Sequence, residues 1–252
     1  MKRYLVIACA VLYREVCQCI ASTPAIVDVM FLRQGLHSEG QVKMPIEIQK
    51  AIDAVDQTKY DAILLGYGLC NYGIKGLHAN VPLVAPRAHD CLTLLLGSKE
   101  TYLDYFKSNP GTFYFSSGWL ERTEQPGGGQ LDFSNFNDET IKESIYNEYV
   151  EKYSEKTAKY MMEIMGGMLK NYSRVAFINT GTGDIAANIA ASKDYAEDNN
   201  WEFEEIQGST GLLQRMLSGD WNDSDFLIVK PGSTIEPAYN DNIIKAGEMV
   251  LE

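Results

Sequence analysis

Short strand-like segments alternate with helix-like segments along most of the chain, and this alternation restricts the possible folds more than any other feature. Apolar, β-rich runs lie at residues 4–8, 26–32, 62–65, 81–85, 175–178, 201–206 and 226–229. Apolar side chains at helical spacing lie between them, at residues 12–20, 46–55, 185–198 and 212–217. Strands that alternate with helices are typical of a mostly parallel sheet covered by helices. The sequence therefore predicts an α/β protein.

A weak internal duplication divides the predicted fold into two halves. Residues 48–68 align without gaps on residues 212–232. We interpret the halves as two Rossmann-like parallel-sheet units that face each other across a cleft, with a helical middle segment between them. The alternative is that any helix-strand-turn unit resembles another. The predicted segments are an α/β lobe at 1–108, a loop and helical connecting segment at 109–172, and a second α/β lobe at 173–252.

Charge and hydropathy exclude several classes of partner. The chain of 252 residues carries a formal net charge of −12, and no basic stripe offsets it, so we expect no nucleic-acid partner. No apolar run approaches the roughly 18 residues of a membrane span, and the first apolar run is too short for a secretory signal. We therefore expect a cytoplasmic protein without a membrane partner. Its five cysteines are then kept reduced, which favours metal binding or catalysis over disulfides.

Cysteine and histidine residues follow several of the predicted strands directly. Cys9 ends the first strand, Cys70 follows the third, and His89 and Cys91 follow the fourth. Ligands of parallel α/β sheets bind beyond the carboxyl ends of the strands, and His and Cys two residues apart in a turn can reach one borderline-soft cation. The predicted ligands of zinc or another transition metal are therefore Cys9, Cys70, His89 and Cys91. The alternative is that Cys9 and Cys70 are small buried residues.

Two further side chains near this edge are candidates for catalysis. Arg87 can hold an anionic substrate with two hydrogen bonds, although a structural ion pair fits the sequence equally well. His37 lies in the loop after the second strand, where it can serve as a ligand or as an acid-base group; a surface position is the alternative.

Asp90 is expected to cap a helix that begins at Cys91, where the helix dipole favours a thiolate.

A glycine-containing loop follows a strand in the second half. Its residues are Thr180, Gly181, Thr182 and Gly183, and a helix begins directly after it. The backbone amides of such a loop can cradle a phosphate or a carboxylate, so we assign it as a candidate cofactor-binding loop. It lacks the Gly-Lys-Ser/Thr of a P-loop, and a plain tight turn is the alternative.

Several segments resemble the family called domain of unknown function 1638. The segments are Ile7-Ala8-Cys9, residues 34–37, Tyr67-Gly68-Leu69-Cys70, residues 86–97 with the His-Asp-Cys block, and residues 110–119. This family is found in methanogens and anaerobic bacteria, often beside genes for corrinoid-dependent methyl transfer, which implies a place in anaerobic one-carbon metabolism. His89 and Cys91 are also similar to the H-x-C pair of zinc enzymes that methylate thiols from methylcorrinoid, although no later cysteine follows Cys91.

Three functions are compatible with these features. The leading hypothesis is a metal-dependent enzyme of anaerobic one-carbon metabolism, in which the Cys/His-bound metal activates a thiol or a small-molecule substrate for methyl transfer linked to a corrinoid protein. The second is a non-catalytic accessory protein that binds a metal or a corrinoid. The third is a thiol redox protein that uses the cysteines without a metal.

Overall fold

The computed structural model of the chain contains two mainly parallel sheets and the helices that cover them. It describes residues 1–122, 143, 146–147, 150–151, 154–160, 162 and 171–248, with the backbone alone for residues 37–40. The strands are β1 Arg3–Cys9, β2 Ile26–Leu32, β3 Ala62–Gly66, β4 Leu83–Pro86, β5 Thr112–Phe115, β6 Arg174–Asn179, β7 Glu202–Gln207, β8 Phe226–Val229, β9 Ser233–Pro237 and β10 Ile244–Glu248. The described α-helices are α1 Tyr13–Ser22, α2 Gly40–Asp53, α3 Cys91–Leu96, α4 Lys99–Ser108, α5 Ser117–Glu121, α6 Ile185–Asp198 and α7 Gly211–Ser218.

These elements confirm the prediction of a mixed α/β fold with parallel sheets. Of the predicted helical middle segment, positions 143, 146–147, 150–151, 155–160 and 162 are helical. The rest of that segment lies outside the described residues. Within the described ranges, no helix has both the length and the apolar character needed to cross a membrane.

The larger sheet has five strands in the order β2-β1-β3-β4-β8. Strands β1 to β4 are parallel, and β8 runs antiparallel to β4. Tyr4 of β1 lies opposite Val27 on one side and Ala62 on the other. The residues of β1 from Tyr4 to Cys9 and all residues of β3 are buried, as expected of parallel strands that are covered on both faces.

The smaller sheet has three parallel strands in the order β5-β6-β7, and β9 pairs with β10 in a separate antiparallel hairpin. Two strands pair with strands that lie in a different predicted segment. β5 lies in segment 109–172 but pairs with β6, and β8 lies in segment 173–252 but pairs with β4.

Helix α1 connects the two sheets through contacts at both of its ends. Near its end, the Thr23 hydroxyl donates a hydrogen bond to the Leu217 carbonyl oxygen of α7, 3.0 Å away. Before its start, the Val11 carbonyl oxygen lies directly against Gly118 of α5. The main hydrophobic core accordingly includes residues of both sheets, among them Ala176 and Ile178 of β6.

Gly118 is the position at which this contact between the sheets can be tested. A Cβ atom at residue 118 would overlap the Val11 carbonyl oxygen, so Gly118→Ala should lower the free energy of unfolding by about 3 kcal/mol. Urea denaturation measures the change. Gly211→Ala is the matched control, because a Cβ atom there meets only the Ser209 hydroxyl at 3.3 Å, and it should change the free energy by less than about 1 kcal/mol. Equal effects of the two substitutions would contradict the close contact.

Candidate functional site

Three cysteines from three neighbouring strand ends line one cavity of about 330 Å³. Cys9 is the last residue of β1, Cys70 lies in the turn after β3, and Cys91 is the first residue of α3, which follows β4. The chain passes from β1 to β2 in one direction and reaches β3 on the other side of β1, so the connections after β1 and β3 diverge. Ligands of α/β proteins bind at such a divergence, and the structure brings these three predicted residues together there.

The loops after β3 and β4 run side by side as far as the cavity. The Leu69 and Cys70 amides donate hydrogen bonds of 2.8 Å to the carbonyl oxygens of Ala88 and His89. Gly68 permits this approach, because a Cβ atom there would lie 2.6 Å from the Asp90 backbone nitrogen. The position of Cys70 relative to Cys91 is therefore fixed by backbone contacts.

The turn that carries Cys70 has an unusual backbone. Cys70, Asn71 and Tyr72 have φ values of 45°, 56° and 66°, so three consecutive residues other than glycine lie in the left-handed region. This conformation costs roughly 1–2 kcal/mol per residue. The Gly73 amide closes the turn through hydrogen bonds to the Leu69 carbonyl oxygen at 2.8 Å and the Cys70 carbonyl oxygen at 3.1 Å. Strain of this kind is often found at functional sites.

The cysteine thiols lie in an environment that disfavours the thiolate. Burial raises the pKa of Cys9 to about 11. Burial also raises the pKa values of Cys70 and Cys91, and the neighbouring Asp90 carboxylate raises them further. No lysine, arginine or histidine is among the described residues that line the cavity. The three thiols are therefore protonated at neutral pH in the absence of a bound cation.

Asp90 is the carboxylate of the cavity lining and also the N-cap of α3, as predicted. Its side chain accepts hydrogen bonds from the Leu92 amide at 3.0 Å, the Thr93 amide at 3.4 Å and the Tyr102 hydroxyl at 3.1 Å. Burial raises the pKa of Asp90, and these hydrogen bonds oppose that effect.

Tyr67 is a cavity residue that the sequence analysis did not identify. Its side chain is 2% exposed, and its hydroxyl group has no hydrogen-bond partner among the described residues. A buried hydroxyl without a partner is uncommon, and here it belongs to a residue that lines the cavity. The available signal was a tyrosine between two glycines directly after an apolar strand.

Aromatic residues on or beside the second sheet also line the cavity. Phe113 and Tyr114 belong to β5, Trp119 belongs to α5, and Tyr172 precedes β6. These residues were not predicted from the sequence, because β5 has no clear strand pattern and lies in the segment predicted to connect the two lobes. The remaining described lining residues are Val11, Leu36, Met44, Asn71, Leu92 and Thr112.

His89 and Arg87 do not line the cavity. The His89 side chain is exposed, and its ring centroid lies 6.0 Å from that of Tyr102. The Arg87 guanidinium is buried and donates hydrogen bonds to the carbonyl oxygens of Asp223, Asn242 and Ile244. It also forms an ion pair of 3.1 Å with the Asp223 carboxylate. These contacts favour a structural ion pair for Arg87 over the alternative, which is binding of an anionic substrate.

His37 lies in the 3-10 turn Gln34–Glu39, and its side chain lies outside the described residues. The preceding residue, Leu36, is buried and lines the cavity. The backbone of this turn therefore passes next to the site.

The Thr180–Gly183 loop binds a carboxylate of the chain itself. Glu15 of α1 is completely buried, and its Oε1 atom accepts hydrogen bonds from the hydroxyls of Thr180 at 2.7 Å and Thr182 at 3.0 Å. Asp184 then caps α6 by accepting a hydrogen bond from the Ala187 amide at 3.1 Å. An external phosphate or carboxylate at the two hydroxyls would face the Glu15 side chain.

The described residues contain no group of three or more His, Cys, Asp and Glu side chains placed so that they could hold a metal ion. The three cysteines therefore share a cavity without forming a metal site in this conformation. Their thiol groups supply the donor type that soft metals prefer, whereas the fourth predicted ligand, His89, does not line the cavity.

The raised thiol pKa values predict how Cys70 and Cys91 react with iodoacetamide. Only the thiolate is nucleophilic, so the alkylation rate should rise about tenfold per pH unit from pH 7 to pH 9 and continue to rise above pH 9. Peptide mass spectrometry after timed quenching measures each rate. In urea-unfolded protein, where cysteine has a pKa of about 8.5, the rates should level off near pH 9. A plateau below pH 8 in the folded protein would contradict the predicted burial effect.

The unpaired hydroxyl of Tyr67 predicts that Tyr67→Phe stabilises the ligand-free protein. Leaving a buried hydroxyl without a partner costs about 1–3 kcal/mol, so the substitution should raise the free energy of unfolding by about 1 kcal/mol in urea denaturation. Tyr102→Phe is the control and should lower this free energy by about 1 kcal/mol, because the Tyr102 hydroxyl donates to Asp90. A loss of stability in both variants would mean that the Tyr67 hydroxyl has a partner.

Among known families and proteins, one family matches the sequence of this chain. The family of proteins of unknown function designated DUF1638 matches residues 31–217, a segment that contains Cys70 and Cys91 and begins after Cys9. A search of curated proteins and a search of solved structures gave no match. Because the matched segment covers well over half of the chain, the resemblance noted in the sequence is confirmed, and the chain belongs to the DUF1638 family.

Proposed function

We propose that this protein is a metal-dependent enzyme of anaerobic one-carbon metabolism that acts on a small-molecule substrate in the cysteine-lined cavity. The proposed reaction is methyl transfer linked to a corrinoid protein, and the proposed location is the cytoplasm. The observation that carries the proposal is the position of Cys9, Cys70 and Cys91, which come from three strand ends and line one cavity. A thiol is the natural acceptor of a methyl group once it has been deprotonated.

The proposal includes the interpretation of the fold as two Rossmann-like halves that face a cleft. The cavity supports this interpretation, because its lining comes from the strand ends of the larger sheet and from β5 and Tyr172 beside the smaller sheet. In such an arrangement, each half contributes one wall. The larger sheet supplies the sulfur atoms, and the segment next to the smaller sheet supplies the aromatic rings.

A soft metal ion, zinc or another transition metal, is the proposed cofactor. Cys9, Cys70 and Cys91 would hold it, and their present arrangement does not fit a metal ion without side-chain movement. A cysteine side chain turns about a single bond, and all three cysteines line the same cavity. When bound, a cation of this type lowers the pKa of a coordinated thiol and thereby supplies the thiolate that the pocket itself disfavours.

The other residues of the cavity bind and orient the substrate in this proposal. The aromatic and aliphatic lining excludes water, and the Tyr67 hydroxyl is available for one hydrogen bond with a bound molecule. His37 is retained as a candidate acid-base group, because the residue before it lines the cavity. The hydrogen bonds of Arg87 to the Asp223 and Ile244 carbonyl oxygens favour a structural role for this residue.

The alternative is a non-catalytic accessory protein that binds a metal or a corrinoid. The observation that favours it is the lining itself, in which the described residues include neither lysine, arginine nor histidine. A cavity of this composition binds more readily than it transfers protons. Turnover of methylated corrinoid with candidate thiols distinguishes the two functions, because an accessory protein would bind without methylating a thiol.

Substitution of Cys91 tests the metal part of the proposal. Cys91→Ser removes a sulfur ligand, so we expect the metal content of anaerobically purified protein and the methyl-transfer rate to fall by about tenfold or more. Elemental analysis and thiol methylation are the measurements. Cys17→Ser is the matched control, because Cys17 lies in α1 away from the cavity, and it should change neither quantity. Metal-free wild-type protein that still methylates thiols would refute the metal requirement, and equal losses in both variants would refute the site.

A further inference from the structure

The aromatic wall of the cavity is suited to a particular kind of ligand. Tyr67, Tyr114 and Trp119 are among the residues that line the cavity, whereas the ring of the adjacent Phe113 packs against Phe115, Tyr195 and Trp201 on the other face of β5. The face of an aromatic ring carries negative charge and attracts a cation that lies within about 6 Å of its centroid. Several rings around one small space can therefore bind a cation without donating or accepting hydrogen bonds.

The charge of the lining also favours a cationic ligand. Asp90 is the carboxylate among the described lining residues, and its three hydrogen-bond donors, the amides of Leu92 and Thr93 and the hydroxyl of Tyr102, favour its charged form and oppose burial, which raises its pKa. Among the described residues of the lining, no side chain carries a positive charge. The chain as a whole has a net charge of −12, which attracts cations toward the site and repels anions.

The size and polarity of the cavity restrict the cation further. A volume of about 330 Å³ is near the lower end of the roughly 300–1,000 Å³ that ligand pockets occupy, so the ligand is small. Val11, Leu36, Met44 and Leu92 add aliphatic surface to the aromatic rings. A primary ammonium ion is strongly hydrated and requires three acceptors, whereas most of the described lining is aromatic or aliphatic. An ammonium group covered by methyl groups requires none.

From these observations we infer that the cavity binds a small organic cation whose nitrogen carries methyl groups, of the quaternary or tertiary ammonium class. The methyl groups contact the rings of Tyr114 and Trp119, and Asp90 balances the charge. The Tyr67 hydroxyl, which has no partner among the described residues, is available to a polar end of the ligand. This inference adds a ligand class to the proposed function, gives the cation no part in the transfer of a methyl group to a thiol, and rests on that proposal for the assignment of the cavity as the active site.

Isothermal titration calorimetry with choline and its uncharged analogue 3,3-dimethylbutan-1-ol tests the inference on the full-length protein. The two probes have nearly the same shape and differ in the charge of the central atom. We expect choline to bind at least about tenfold more tightly, because ring faces and a carboxylate discriminate charge and not shape. Equal affinities, or no binding of choline, would overturn the inference.

Two substitutions locate the binding site. Asp90→Asn removes the charge while asparagine still caps a helix nearly as well as aspartate, so the fold should persist while choline affinity falls about tenfold. Asp194→Asn on the exposed side of α6 is the matched control and should leave the affinity unchanged. Tyr114→Leu keeps an apolar side chain but removes a ring, and it should also lower the affinity for choline. Choline affinity that survives both Asp90→Asn and Tyr114→Leu would overturn the assignment to this cavity.

Elemental analysis of the same samples separates this inference from the proposed function. Choline binding by protein that neither retains a supplied transition metal nor methylates a thiol in its presence would support the cation site and refute the metal-dependent enzyme. Metal binding and thiol methylation without choline binding would refute the cation site and support the proposed enzymatic function.

Discussion

The parallel pairing of β1 with β2 on one side and β3 on the other is the constraint on which the rest of the structure depends. Because the connections after β1 and β3 leave the sheet in opposite directions, a gap opens at the carboxyl ends of these strands. Cys9 lies on one side of this gap, and Cys70 lies on the other. Gly66 allows β3 to approach β1 closely, since a Cβ atom there would overlap the Ala8 side chain. The location of the cavity is thus a consequence of strand order and of small side chains at the pairing.

The features that could be predicted from the sequence are those with a local signal. Strand β1 is a continuous apolar run because both of its faces are buried, and a run of that kind is visible without knowledge of its partners. The rule that ligands bind beyond carboxyl strand ends then requires only the order of residues along the chain. The positions of Cys9, Cys70 and Cys91 follow from it. The cap at Asp90 was also predictable, because capping depends on the adjacent residues.

The features that could not be predicted depend on contacts between distant residues. Strand β5 has four residues, and its partner β6 lies almost 60 positions later, so neither its pairing nor the role of Tyr114 has a local signature. β8 comes more than 100 residues after β4 in the chain and pairs with it antiparallel, a contact that has no local signature either. The contacts of Arg87 with residues near the end of the chain have the same origin. Sequence patterns predict the elements, whereas such contacts decide which side chains meet.

The segment from Tyr67 to Tyr72 combines two features that the fold alone does not require. It holds three consecutive left-handed residues, and it includes a buried hydroxyl without a partner among the described residues. Each feature costs free energy, roughly 1–2 kcal/mol for each left-handed residue and about 1–3 kcal/mol for the hydroxyl. Ordinary turns that reverse a chain after a strand carry neither cost. Both features lie on the wall of the same cavity, next to Cys70, and backbone contacts on either side hold them in place. A bound molecule that forms a hydrogen bond with the Tyr67 hydroxyl would recover the hydroxyl's share of this free energy, which is a physical reason for proposing the cavity as the functional site.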